Sequence, residues 1–340
     1  MTAVNVLVDR HHAGLYRSLQ LLGDRLGWTL YTPVGREWMF AGYWDFGGAE
    51  PLRSDLAAQY LDEGHFTRSL FGWTTTDEEF PGVPIRGLSL DEARQMPWAF
   101  VVATLQDNQW GFHRFAGEHG ARFVEAVGNT NQYVDWSLDP LVLMSAEMPI
   151  AGRGVRCHQE MEPVAAEFRN PQEADRRRID SFVNCFPQIR AENAYIGSAW
   201  DDVRSRLPGV DFLVHGIDGP DGIVKPLSRI VAKMAHAGWG WHDKPQGDGY
   251  GHVLHMWAAI GRPIIGHGFH YAGRQGEAFW RHGETCIDLD RVTPAEAAAM
   301  IEAIGSDPGR HAEMCRAIRA AFDATVDLDA EEWSIRALLA

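Results

Sequence analysis

The loop "VDRHHAG" places one carboxylate and two imidazoles directly after a short apolar run, Ala3 to Val8. An imidazole titrates near neutral pH, so His11 or His12 can take a proton from an attacking hydroxyl, and Asp9 can orient the ring for that step. At least one of the two histidines also suits a simpler role, capping the following helix or packing beneath the loop. The residue types therefore indicate general-base chemistry beside an orienting carboxylate.

The stretch "KPQGDGYGHVLHMWAAIGRPIIG", Lys244 to Gly266, places glycines where a helix is about to begin. Glycine lets the backbone approach a ligand closely, and the first N–H groups of a helix attract anions. We predict that the N–H groups near Tyr250, Gly251 and His252 face a diphosphate, and that Asp248 accepts hydrogen bonds from sugar hydroxyls. A glycine-rich turn that serves only tight strand-to-helix packing is the alternative.

Two alternating series of strands and helices must position these residues. The first opens with the run Ala3 to Val8, a leucine-faced helix and the strand "WTLYTP"; the second opens with a strand at "SFVNCF". The expected class is α/β, with two Rossmann-like doubly wound domains facing across a cleft. The expected boundaries are 1–150 for an N-terminal Rossmann-like domain, 151–180 for a linker, 181–325 for a C-terminal Rossmann-like domain and 326–340 for a C-terminal helical tail.

Two segments interrupt this alternation. The aromatic and glycine-rich stretch from Gly35 to Pro97 is interpreted as a long insertion with a short helix at "LRSDLAAQYL". The polar stretch from Ile150 to Arg178 is interpreted as a linker plus a helix rich in arginine and glutamate. Two short stretches have the spacing of a capping box, in which Glu follows Ser or Thr by three residues. They are Ser89 with Glu92 and Thr293 with Glu296, and each predicts a helix start.

Composition narrows the function classes. The 340 residues carry a net charge of −15 with a pI near 5.4, which disfavours non-specific binding to a phosphate backbone. Four scattered cysteines without a CxxC pair suggest reduced thiols in a cytoplasmic protein. The N-terminal apolar run is too short for a signal peptide, and no run is long enough to cross a membrane.

The glycine-rich stretch resembles the donor-site signature of GT-B glycosyltransferases. In that signature an acidic residue, a glycine, an aromatic residue and a second glycine precede a helix, and G-x-P with two β-branched residues follows it. The matching positions are Asp248, Gly249, Tyr250, Gly251, Gly261, Pro263, Ile264 and Ile265. The resemblance covers the C-terminal half, and the N-terminal half in element order only. It implies glycosyl transfer from a nucleotide-diphosphate sugar, with UDP-glucose or another UDP-sugar as the expected donor and no tightly bound cofactor.

The resemblance also implies roles for residues on the donor side. Arg190 and Lys244 are the best cations for the departing diphosphate, although each also suits an ordinary surface position. Retaining members usually carry a glutamate eight positions after the first acid, where it binds the nucleotide ribose, and Met256 stands there in this chain. His255, or Glu284 in the later loop "HGETCIDLD", is the expected substitute, and packing or surface roles suit both equally.

On the acceptor side, inverting members often carry a histidine base in the loop after the first strand, which favours His12 or His11 as the base. His113 and Asn129, with Asn131 beside it, follow other strand ends and are expected to line the acceptor side, unless they only stabilise the core or the loop. The histidines of "GHGFH" lie among glycines and near a proline, which favours a loop over a metal site. No metal is expected, because helix dipole and cations can hold the leaving group.

The acceptor itself is predicted from a second resemblance. The opening "VLVDRHHAGLYRSLQLLGDRLGWTLYTPVGREW" and "MPWAFVVATLQDNQWGFHR" resemble glycosyltransferase-like proteins of phages, some of which place sugars on hydroxymethylated pyrimidines in DNA. A 5-hydroxymethylated pyrimidine in DNA is therefore the expected acceptor, and the aromatic insertion offers surfaces for an extruded base. A small-molecule or glycan acceptor, and a GT-B-shaped epimerase or sugar-binding protein, are the alternatives.

Overall fold

Two parallel β-sheets organise the chain, each in its own unit. The computed structural model describes residues 4–9, 13–35, 37–44, 85–128, 132–144, 154–156, 173–224, 227–244 and 250–340. The first unit comprises Met1–Met161 with Leu328–Ala340, and the second comprises Glu162–Asp327. The predicted class, two doubly wound α/β domains, is confirmed by the sheet topology of both units.

The first unit contains a seven-stranded parallel sheet in the order β3-β2-β1-β4-β5-β6-β7. Its strands are β1 (Val4–Val8), β2 (Trp28–Pro33), β3 (Ile85–Leu88), β4 (Phe100–Ala103), β5 (Arg122–Val127), β6 (Leu141–Met144) and β7 (Gly154–Arg156). The helices between them are α1 (Ala13–Leu26), α2 (Glu37–Phe40), α3 (Leu90–Ala93) and α4 (Gln109–Glu118). Val6, Leu7 and Val8 are fully buried, as expected for a strand covered on both faces.

The second unit contains a five-stranded parallel sheet in the order β12-β11-β10-β8-β9. Its strands are β8 (Asp175–Ser181), β9 (Asp211–Val214), β10 (Ala237–Trp241), β11 (Ile264–Gly266) and β12 (Cys286–Asp288). Its helices are α5 (Phe186–Glu192), α6 (Ala194–Arg206), α7 (Leu227–His236), α8 (His252–Ile260), α9 (Pro294–Ser306) and α10 (Pro308–Thr325). A Cβ on Gly240 of β10 would lie 2.4 Å from the Trp257 ring, so only glycine allows α8 to pack this closely on the sheet.

One strand lies where the sequence predicted a linker and helix. β8 runs through the arginine-rich segment that ends at Ser181, and the apolar "SFVNCF", predicted as a strand, instead leads into α5 at Phe186. Arg176 and Arg178 tolerate this position because their side chains find acceptors, and Arg177 is exposed. Arg178 binds both carboxylate oxygens of Asp180 at 2.8 and 2.6 Å, and Arg176 donates to the Gly305 carbonyl at 2.9 Å. Side-chain pairing therefore overrides the polar pattern.

The last helix, α11 (Leu328–Leu339), belongs to the first unit, although it follows the second along the chain. Ile335 is fully buried in the core that β1, β2 and α1 share. Arg25 of α1 forms ion pairs with Asp329 and, at 2.8 Å, with Glu332. The C-terminal helix thereby completes the N-terminal core.

Both predicted capping boxes are present. Ser89 donates its backbone N–H to the Glu92 carboxylate at 3.0 Å, and Thr293 does the same to Glu296 at 2.8 Å. The helix predicted at "LRSDLAAQYL" lies outside the described residues. Within the described residues, every helix is too short or too polar to cross a membrane.

Candidate functional site

Each sheet has one point where the strand order reverses, and ligands of open α/β sheets bind beside such points, beyond the carboxyl ends of the strands. In the first sheet the reversal lies between β1 and β4, which pair through Val8 and Val102. In the second it lies between β8 and β10, which pair through Ser181 and Trp241. The residues that follow these four strands are therefore the candidates for ligand binding.

Asp9 spans the reversal point of the first sheet. Its side chain is fully buried at the end of β1, and its carboxylate accepts hydrogen bonds from the loop that follows β4. The donors are the Thr104 N–H at 2.7 Å, the Thr104 hydroxyl, the Leu105 N–H at 3.1 Å and the Asn108 amide at 2.7 Å. Asp9 thus joins the end of β1 to the loop that follows β4.

A second buried carboxyl group lies near Asp9. Glu125 of β5 is fully buried, and its Oε1 accepts a 3.4 Å hydrogen bond from Gln132. Its Oε2 has no partner in the part of the chain that the structure describes. Burial raises the pKa of Glu125 to about 8, the Gln132 hydrogen bond opposes the rise, and the Asp9 and Asp135 charges add to it. Glu125 is therefore predominantly a neutral acid at pH 7.

Large aromatic side chains are exposed in the same unit, near the ends of β4 and β5. Trp110 and Tyr133 are 49% and 56% exposed, and their rings stack with centroids 6.4 Å apart. Trp110 donates its indole N–H to Asp135 at 3.0 Å, and the Tyr133 backbone N–H donates to Gln106 at 3.0 Å. Such fixed, exposed aromatic surface is typical of a binding site.

His113, predicted on the acceptor side, lies on α4 and packs edge-on against the Phe123 ring at 5.5 Å. It is half-buried, and this contact fits a packing role as well as a binding role. His11, His12, Asn129, Asn131, Asp248 and Gly249 lie outside the described residues.

In the second unit, the predicted anion-binding helix start is formed by α8. Gly251 precedes it with φ +79°, a left-handed conformation that favours glycine, and as the N-cap residue it has no side chain with which to cap the first turn. Tyr250 is buried and stacks on the His255 ring, with centroids 3.7 Å apart. The left-handed backbone conformation therefore explains why glycine occupies position 251. The Tyr250 side chain packs into the interior of the unit.

The remaining predicted donor-side residues occupy different places. Lys244 is half-buried three residues after β10, and His252 is the first residue of α8. The Arg190 guanidinium lies over the Trp200 ring, 5.4 Å from its centroid, and pairs with Asp201. Glu284 is exposed in the turn before β12, where the strands of this sheet begin. The structure therefore brings Lys244 and the start of α8 to the carboxyl edge, and it leaves Glu284 at the other edge.

One pair of side chains at this carboxyl edge has no role that the sequence pattern predicted. Asp243 follows β10, His267 follows β11, and His267 Nδ1 lies 2.8 and 2.9 Å from the two Asp243 oxygens. Asp288 and Asp290, at the end of β12, accept the next two backbone N–H groups, from Gly268 at 3.2 Å and Phe269 at 2.8 Å. The signal was the position of polar residues at strand ends, in "WHDK" and "IIGHG".

Within the described residues, His, Cys, Asp and Glu side chains form no group of three that could hold a metal ion. His267 and Asp243 therefore form a hydrogen-bonded pair without a third such ligand among these residues.

Comparisons with known proteins give the fold. No protein-family model and no curated protein sequence matches the chain. Among solved structures it is similar to Anabaena HepE in complex with UDP and glucose, at TM-score 0.60 and 10% identity, covering 100% of this chain and 99% of that one. It is also similar to an alpha-glucosyltransferase in complex with UDP-glucose and DNA containing an abasic site, at TM-score 0.61, 8% identity and 99% of both chains.

A glycosyltransferase from Rickettsia africae is similar over 100% of this chain and 98% of its own, at TM-score 0.60 and 10% identity. Identities this low show shared architecture alone. The two sheets of this chain follow the GT-B fold of these glycosyltransferases.

Proposed function

We propose that this protein is a glycosyltransferase that moves a sugar from a UDP-sugar to an acceptor hydroxyl. The observation that carries the proposal is a likeness over 99–100% of the chain to enzymes solved with UDP or UDP-glucose. The glycine-led start of α8 beside the reversal point of the second sheet supports it, because amide groups there suit a diphosphate. The bond from the anomeric carbon to the diphosphate breaks, and the acceptor oxygen takes its place while losing its proton.

We further propose that His12 or His11 takes that proton, and that Lys244, Asp248 and the backbone from Gly249 to His252 hold the donor. The Asp9 network supports the first part, because it fixes the chain two and three residues before these histidines. A positioned base contributes at least about a hundredfold to such a step. Replacing both histidines with alanine should therefore lower kcat about a hundredfold and leave the Kd for UDP unchanged, as measured by steady-state kinetics and calorimetry. Full activity in the double variant would contradict the assignment.

For the acceptor we propose a 5-hydroxymethylated pyrimidine in DNA. The neighbour solved with UDP-glucose and DNA supports this choice, and the exposed Trp110 and Tyr133 rings offer a surface on which a flat base can stack. A glycan or small-molecule acceptor is the second candidate. The net charge of −15 and the carboxylate of Asp135, which accepts the Trp110 indole N–H, favour it.

A panel assay separates these candidates. The protein is incubated with UDP-glucose, UDP-galactose or UDP-N-acetylglucosamine and with DNA that contains or lacks 5-hydroxymethylcytosine, and nucleosides are analysed by mass spectrometry. A gain of one hexose on the modified base alone is the expected result. UDP release with glycans but not with DNA would favour the second acceptor, whereas conversion of the UDP-sugar to its epimer without transfer would replace the proposed reaction.

A further inference from the structure

The His267 imidazole is held from one side only. Nδ1 contacts the Asp243 carboxylate, and both side chains are at most 3% exposed. Because a carboxylate accepts, Nδ1 carries a proton, and in the neutral form of the ring Nε2 is an acceptor. In the described part of the chain, the hydrogen bonds of His267 involve Nδ1 only. Nε2 therefore remains available to a ligand at the edge where the strands of the sheet end.

The surroundings of His267 combine fixed backbone with aromatic rings. The Tyr195 ring, 57% exposed at the start of α6, lies 4.4 Å from the imidazole centroid, and Phe269, 58% exposed, follows two residues later. Asp288 and Asp290 pin the backbone just after His267, and Tyr195 also donates to Asp290 at 3.4 Å. Aromatic faces beside hydrogen-bonding groups match a sugar ring, which has apolar C–H faces and hydroxyls at its rim.

We propose that His267 Nε2 accepts a hydrogen bond from a hydroxyl of the donor's glycosyl group, and that Asp243 positions the ring for this contact. The proposal deepens the proposed function, on which it rests, by naming a group that selects the sugar. A hydroxyl suits an acceptor nitrogen because it supplies a proton, whereas an ionised diphosphate has none to donate. His267 therefore contacts the sugar, while the amide groups at the start of α8 contact the diphosphate.

The informative variant is His267→Asn. Its Nδ2 can take the place of the ring Nδ1 and keep the hydrogen bond to Asp243, while the Nε2 acceptor is removed. His311→Asn is the matched control: His311 is also buried in this unit, but its Nε2 lies 2.9 Å from the Gly238 carbonyl. Calorimetry gives Kd values for UDP, for whichever of UDP-glucose, UDP-galactose and UDP-N-acetylglucosamine binds most tightly, and for deoxy analogues of that sugar.

We expect His267→Asn to weaken binding of the UDP-sugar about tenfold and to leave binding of UDP within twofold. One deoxy analogue should bind the wild type about tenfold more weakly than the full sugar, with no further loss in the variant, because the same hydrogen bond is already absent. His311→Asn should leave the ratio of UDP-sugar to UDP affinity unchanged. An equal loss for UDP, or a further tenfold loss with every deoxy analogue, would overturn the proposal.

The same measurements separate this inference from the proposed function. A wild type that binds the UDP-sugar through His267 but transfers nothing contradicts the transferase proposal alone. A wild type that transfers the sugar, with a His267→Asn variant of unchanged affinity, contradicts the His267 proposal alone. A wild type that binds none of the three UDP-sugars contradicts both.

Discussion

Replacing Asp9 with alanine is expected to lower the free energy of unfolding of the N-terminal unit by about 4 kcal/mol. The carboxylate is fully buried and accepts from two backbone N–H groups, one hydroxyl and one amide of the loop after β4. Alanine removes all four contacts and leaves a small cavity between β1 and that loop. Urea unfolding, followed by circular dichroism at pH 7, measures the change.

The Asp9→Asn variant separates the contribution of side-chain size to stability from that of the carboxylate as a hydrogen-bond acceptor. Asparagine keeps the size and one acceptor oxygen, but its amide group faces donors, so most of the loss should remain. Asp24→Ala, which removes an exposed carboxylate from α1 of the same unit, is the control and should have a much smaller effect. If Asp9→Asn instead kept full stability and lost only transfer activity, Asp9 would act on His11 or His12 and its structural role would be refuted.

The elements that the sequence predicted are those whose local signals and tertiary contacts agree. β1 is an apolar run buried on both sides, and the capping boxes at Ser89 and Thr293 involve residues only three positions apart. Such interactions can be predicted from the sequence because the two partners are close along the chain. β8 was predicted wrongly because its arginines are accommodated by Asp180 in the strand and by the Gly305 carbonyl, 129 residues from Arg176.

The features of the candidate site also differ in whether local sequence predicts them. The glycine-led start of α8 was predicted because a run of glycines followed by apolar residues at helical spacing is a local pattern along the chain. The His267–Asp243 pair is 24 residues apart and depends on β10 and β11 being neighbours, which no local pattern specifies. The return of α11 to the first unit depends on contacts such as Arg25 with Glu332, 307 residues apart. Sequence spacing thus predicted backbone features, whereas side-chain pairs across strands required the topology.

The stability of the N-terminal unit is expected to fall as the pH rises from about 4.5 to about 8, because of Glu125. Its carboxyl group ionises near pH 4.5 in the unfolded chain and near pH 8 in the folded one. Below this pH window the Glu125 carboxyl group is protonated in both the folded and the unfolded chain. Its burial as a neutral group then lowers the free energy of unfolding only slightly. Within the window the unfolded chain releases the proton and the folded chain retains it, so the free energy of unfolding decreases by at most about 1.4 kcal/mol per pH unit.

Glu125→Gln should remove this dependence, because glutamine is neutral at every pH and similar in shape to the protonated acid. At pH 5 the variant and the wild type should unfold at similar urea concentrations, and at pH 9 the variant should be more stable by about 3 kcal/mol, allowing for relaxation around the ionised group. Asp24→Asn, with an exposed carboxylate in the same unit, controls for the loss of one charge. A difference between Glu125→Gln and wild type that stays constant from pH 5 to pH 9 would show that Glu125 is already ionised in the folded chain, with Gln132 alone supporting its charge.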